Sequence, residues 1–248
     1  MAHEARVDHW KCVFDDESEW DDLQPHAVKR GRLIDQRPDA PLSEGEIAGL
    51  AWPDKPLRAL SLVAGIRENG MTRAALAYAY PWTTEGARLR LRVEKVSASA
   101  AGIVAGITAR AVDGAGPALT FFGARYYAER DVLRPGLEAE FALAGLACDV
   151  RMQAARAHAR GAALLRRRPG RASHEYEFRA PVTRVSEFTV FGRKMQKLDL
   201  ALSRPRIGHA AFDLELPVFT GDHLWPTEAR PKEGDAIGGA LWLQGHLV

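Results

Sequence analysis

Six residues offer the clearest chemistry in this chain: Arg156, Arg160, Arg167 and Arg168 in one basic stretch, and Tyr126 and Tyr127 in an aromatic one. On a helix, Arg156, Arg160 and Arg167 at i, i+4 and i+11 share a face, and Arg166, Arg168 and Arg171 prolong the charge. Such a face neutralises phosphates. Tyrosines projecting from a barrel stack on bases, each contact being worth about 1 to 3 kcal/mol. The plainer readings stand beside these: a solvated helix face whose arginines pair with carboxylates, and aromatics that fill a core. In F-F-G-A-R-Y-Y, Phe121 and Phe122 cannot both point the same way on a strand, so one of each adjacent pair belongs to the interior.

Catalytic and metal signatures are not found. No nucleophile elbow G-x-S-x-G, dinucleotide loop G-x-G-x-x-G, phosphate loop or H-E-x-x-H helix occurs. His3, His9 and Cys12 have donors suited to zinc, but no fourth ligand follows at a usual spacing, and His209, His223 and His246 are scattered. Acid pairs such as Glu138 and Glu140 read as solvated surface. No catalytic residue, metal or cofactor is expected.

The elements that position these residues are mostly strands. Residues 87–96, A-R-L-R-L-R-V-E-K-V, alternate Leu89, Leu91 and Val93 against Arg88, Arg90, Arg92 and Glu94, which buries one face and wets the other. Further strand-like runs lie between turns rich in Gly and Pro, a spacing that favours barrels or sandwiches over a parallel α/β sheet. The exception is residues 150–168, whose Ala, Leu, Met and Arg content favours a helix ended by Pro169-Gly170. The expected organisation is therefore an irregular N-terminal arm (1–45), a first β-barrel-like module (46–149), a connecting basic helix (150–171) and a second β-barrel-like module (172–248). The arm carries Trp10, Phe14 and Trp20, which pack on the body or on a partner.

The halves resemble one another. R-P-G-L-E-A-E-F-A-L-A-G-L is matched by R-P-K-E-G-D-A-I-G-G-A-L-W-L-Q-G-H-L, with Gly136 and Gly234 98 residues apart, Phe122 against Phe219, and Leu143 and Gly145 against Leu243 and Gly245. Duplication is one reading, and the turn chemistry common to all barrels is the other. The order of strands, with a helical stretch before the last ones of the first half, resembles an oligonucleotide- and oligosaccharide-binding (OB-like) barrel. The C-terminal segment G-D-A-I-G-G-A-L-W-L-Q-G-H-L resembles the closing segment of a bacterial protein family; this implies a shared fold and no activity.

With 248 residues, 46% hydrophobic and 27% charged, the chain can bury a full core, and a net charge of +2 is too mild to announce a nucleic-acid protein. Two cysteines in no framework fit a reducing compartment. The first residues lack the basic start and apolar run of a signal peptide, and no apolar stretch reaches membrane-spanning length. The expectation is a cytoplasmic, noncatalytic binding or assembly protein with a protein partner and no membrane. A single-stranded nucleic-acid binder and an enzyme with a site assembled from distant loops are the alternatives.

Overall fold

Alternating strands without long helices must find edges to pair with, and this chain solves the problem twice. The computed structural model describes residues 9–34, 42–113, 117–153, 164–204 and 212–248. It is mainly β and divides into two compact units, residues 1–10 with 14–84 and residues 11–13 with 85–248.

In the first unit, helix α1 (Glu17–Arg30) begins at Asp16, whose side chain accepts from the Ser18 amide at 2.9 Å, and ends at Gly31 after Lys29 and Arg30. It packs on an antiparallel sheet of β1 (Arg32–Leu33), β2 (Ile47–Trp52), β3 (Arg58–Glu68) and β4 (Met71–Trp82). Trp10, Phe14 and Trp20 are buried, with Trp10 and Trp20 stacked at 3.9 Å between ring centroids. The expected aromatic arm is thus a packed part of this unit. Residues 46–82 form no barrel; they complete the four-stranded sheet.

Among its described residues the second unit carries nine strands: β5 (Ala87–Ala98), β6 (Ala105–Ala111), β7 (Leu119–Gly123), β8 (Glu138–Met152), β9 (Leu164–Arg167), β10 (Glu175–Val190), β11 (Arg193–Arg204), β12 (Phe212–Gly221) and β13 (Ala236–Leu247). A short helix α2 (Tyr126–Glu129) precedes β8, and a single turn of 3₁₀ helix, Asp222–Leu224, precedes β13. The pairings close two rings. One runs β5-β6-β7-β13-β8 and returns to β5; the other runs β10-β11-β12-β8-β13 and returns to β10. In each ring, in the order just given, the third and fourth strands are parallel and all other neighbours antiparallel, which is the OB-like order.

The rings share β8 and β13. Each barrel takes its fourth strand from its own half and its fifth from the other, so the modules exchange their closing strands. The two rings have the same strand order, and their register matches throughout. Val93 exchanges backbone bonds with Gly136 and Leu137, and Val182 does the same with Gly234 and Asp235. Register irregularities fall at Val93/Lys95 and at Val182/Arg184. Phe122 stands opposite Gln244, and Phe219 stands opposite Leu146. Gly136 and Leu146 therefore match Gly234 and Gln244, both 98 residues on, and Leu143 and Gly145 match Leu241 and Leu243 instead of the expected Leu243 and Gly245.

The predicted connecting helix is overturned at both ends. Val150–Met152 continue β8 against β13, and Leu164–Arg167 form β9 against β10. Ladder pairing there overrides the helix propensity of Ala, Leu and Arg, as tertiary context commonly does. The centre of that segment, with Arg156 and Arg160, lies outside the described residues. Gly238 and Gly239 sit inside β13 just before a bulge at Ala240/Leu241.

One asymmetry distinguishes the two barrels. Thr120 on β7 is buried where β7 does not pair with β13, and the Tyr176 hydroxyl accepts from its N–H at 2.8 Å and donates to its C=O at 3.0 Å. At the matching position of β12 stands Pro217, which has no N–H, and Tyr176 is matched by Ala87. Tyr176→Phe is expected to destabilise the protein by about 2 kcal/mol, because both main-chain groups of Thr120 lose their partner. The shift of the urea midpoint at unchanged slope measures it.

Candidate functional site

Of the six residues selected from sequence, Arg156 and Arg160 lie outside the described residues, and the other four lie in or beside two separate elements. Arg167 lies on edge strand β9 and not on a helix; Arg168 pairs with Glu175 at 3.6 Å and its neighbour Arg166 with Glu177 at 2.6 Å. Tyr127 is buried in α2, and Tyr126 is half-buried against the common core. Phe121 is interior while Phe122 faces the other way, as strand alternation requires. The outward arginines of β5 are met by acids: Arg88 by Glu140 at 3.1 Å, Arg92 by Glu138 at 2.5 Å, and Arg110 on β6 by Glu94 at 2.8 Å. These pairs leave little unbalanced charge for a phosphate chain.

The strand exchange creates two matching corners, and they have diverged. On β8, pairing passes from β5 (up to Leu143) to β12 (from Gly145). On β13 it passes from β10 (at Trp242) to β7 (at Gln244), and in the gap the Leu243 amide donates to the His174 carbonyl at 2.9 Å. At the β8 corner stand Glu85 and Lys197, joined at 2.5 Å, with Phe219, Ala144 and Leu146. This corner is an ion pair over apolar surface.

At the β13 corner the same positions hold His174, Gly106, Phe122, Trp242 and Gln244, by the register of the two ladders. Alternation puts Trp242 and Gln244 on the same face of β13, turned away from the common core that takes Leu241 and Leu243. The three rings touch one another: Phe122 and Trp242 are 4.8 Å apart between centroids, Phe122 and His174 5.8 Å, His174 and Trp242 6.0 Å. Where the other corner has the long Lys197, Gly106 leaves room. A Cβ there would meet a single atom within 4 Å, Ser173 Oγ at 3.7 Å.

Two features give this corner chemical character. Gln244 is 1% exposed, and neither its Oε1 nor its Nε2 has a hydrogen-bond partner. Leaving such an amide unsatisfied costs on the order of 1 to 3 kcal/mol per group. Burial also holds the His174 imidazole down to about pKa 4, so it is neutral at pH 7. Neither residue was singled out from the sequence. The sequence signal for Gln244 is a lone amide in the otherwise apolar run A-L-W-L-Q-G.

Among the described residues no group of three or more His, Cys, Asp and Glu side chains is arranged to hold a metal ion. Likewise, no described helix is long and apolar enough to cross a membrane.

No protein-family model matches the chain, and no curated protein does. Among solved structures, the cytoplasmic molybdate-binding protein ModG, in a crystal form with molybdate bound, is similar at 13% identity, over 66% of this chain and 98% of that one, with a TM-score of 0.36. A similarity of that size transfers neither ligand nor site residues.

Proposed function

We propose that this chain is a noncatalytic binding protein that holds a small ligand at the β13 corner of its double barrel. The observation that carries the reading is the pair of unsatisfied amide atoms on Gln244, at a position whose duplicate is the apolar Leu146. A barrel needs no amide there, since its twin closes with leucine. The shared strands supply a rigid frame, which reduces the ordering cost of binding.

Gln244→Leu tests it with two readouts of opposite sign. The variant is expected to raise the stability of the ligand-free protein by about 1 to 3 kcal/mol, because an orphaned amide is replaced by the residue its twin uses. In native mass spectrometry of protein taken from its own host, wild type carries a small-molecule adduct and the variant does not. A destabilised variant, with no adduct on either protein, sinks the reading.

A protein partner is the second reading, supported by β4. Among the described residues that strand pairs with β3 alone, and its first residues, Met71–Ala74, are exposed, with Met71 58% and Ile66 45% accessible beside them. Edge pairing with a second copy predicts a dimer by light scattering that Thr72→Pro removes; a monomer at every concentration counts against it.

A further inference from the structure

From the hydrogen-bonding pattern of the β13 corner we infer the class of its ligand: an uncharged planar heterocycle that presents a hydrogen-bond donor next to an acceptor, as a free nucleobase does. The inference rests on the reading of this corner as a ligand site and names what enters it.

The argument starts from the amide. A glutamine side chain offers one acceptor, Oε1, and two donors on Nε2, side by side in one plane. Both ends of Gln244 are buried and unpartnered, so a ligand that satisfies the residue brings a donor and an acceptor together. A fully deprotonated oxyanion brings acceptors alone. It would bond Nε2 and leave Oε1 facing negative charge in a medium of low dielectric, which is costly.

Charge supports the same conclusion. The residues matched into this corner, Gly106, Phe122, His174, Trp242 and Gln244, include no Lys, Arg, Asp or Glu, whereas the twin corner holds Lys197 and Glu85. Directly opposite Trp242 stands Glu175, which Arg168 meets at 3.6 Å, so the charges described next to this corner already pair with each other. The walls suit a flat ligand. Phe122 is directly opposite Gln244 in the parallel ladder, and Trp242 lies two residues along the same face of β13. Aromatic side chains of this kind hold bases by stacking, a contact tolerant of which base is present. The adjoining Gly106 and Ala144, in the same row of the sheet as Phe122 and Gln244, add little bulk.

Calorimetric titration of the full chain with adenine, cytosine, guanine and uracil, and with sulfate as the acceptor-only control, tests the inference. At least one base is expected to bind saturably and raise the melting temperature, and sulfate is not. Gln244→Glu, which keeps size and removes the donors, and Gln244→Leu are each expected to weaken that base about tenfold or more. Phe122→Leu, which keeps the amide and removes the flat wall, is expected to weaken it as well.

The failures are distinguishable. Binding of sulfate in preference to every base overturns the inference, as does a host-derived adduct lacking the ultraviolet absorbance of a heterocycle; in both cases the corner remains a ligand site. Absence of any adduct, together with no response to any probe, overturns the ligand class and the site alike.

Discussion

Lowering the pH from 7.5 to 5 is expected to cost the folded protein about 4 kcal/mol, about 2 kcal/mol from each of two buried histidines. His174 is held down to about pKa 4 by burial; His246 is held to about 4 by burial first and by the nearby Arg125 second. Both folded values lie below the ordinary 6.5. The unfolded chain therefore takes up protons that the folded chain refuses, starting near pH 6.5. The stability these residues contribute is complete above that pH and is lost progressively as it falls toward 4. Asp16, Glu177 and Asp222 are held below their usual range and act at lower pH, and Asp199, raised by its own burial, acts in the opposite sense near the acid end. Urea unfolding at pH 7.5, 6 and 5 measures the slope. His246→Gln is expected to remove about half of it, and a flat profile over this range contradicts the neutral burial of both rings.

Gly239→Ala is expected to cost more than about 3 kcal/mol, or to prevent folding of the second unit. A Cβ on Gly239 would lie 1.9 Å from the carbonyl oxygen of Asp149 and 3.0 Å from the Cα of Val150. Those atoms are backbone of β8, the strand that both barrels share, so no side-chain rotation relieves the clash. The strain would fall on the ladder that closes both rings. Gly106→Ala is the internal control. Its Cβ meets one atom at an ordinary contact distance, and a change within about 0.5 kcal/mol is expected. Equal effects of the two substitutions on the guanidinium midpoint would show that the close approach of β13 to β8 is not what requires Gly239.

The fold class was legible because strand alternation is local. In residues 87–96 the period of two separates buried Leu91 and Val93 from outward arginines, and β5 follows that pattern. The turn at Gly136 and its counterpart at Gly234 also announced the likeness of the halves, since both take positive φ, 89° and 88°. The strand exchange was not legible. It depends on parallel pairings such as Phe122 with Gln244, across more than a hundred residues, and no local pattern encodes which of two equivalent closing strands an edge accepts. Ladder pairing also overrode both ends of the helix expected over 150–168: composition spoke for α, but at 150–152 and 164–167 the edges of β13 and β10 imposed strands.

The candidate site was hidden for a related reason. Its residues come from β6, β7, the turn before β10, and β13, and each looks ordinary in its own segment. Gln244 gains meaning only beside Leu146, and His174 only beside Glu85, once the two halves have been superposed strand by strand. The basic stretch drew attention because like charges adjacent in sequence are conspicuous. Of its described members, Arg166 is met by Glu177 and Arg168 by Glu175.

Sharing β8 and β13 also fixes the order of events when the protein is made. A polypeptide synthesised as far as residue 235 contains seven of the strands that the two rings need, yet neither ring can close, because β13 belongs to both. The first half cannot reach its native form while the second is still being translated, as a tandem pair of independent barrels could. Closure of the double barrel is a single late event over contacts of large sequence separation, the kind that forms slowly. Until then β7, β8 and β10 carry unpaired edges on the nascent chain, the period when such a chain most needs a chaperone.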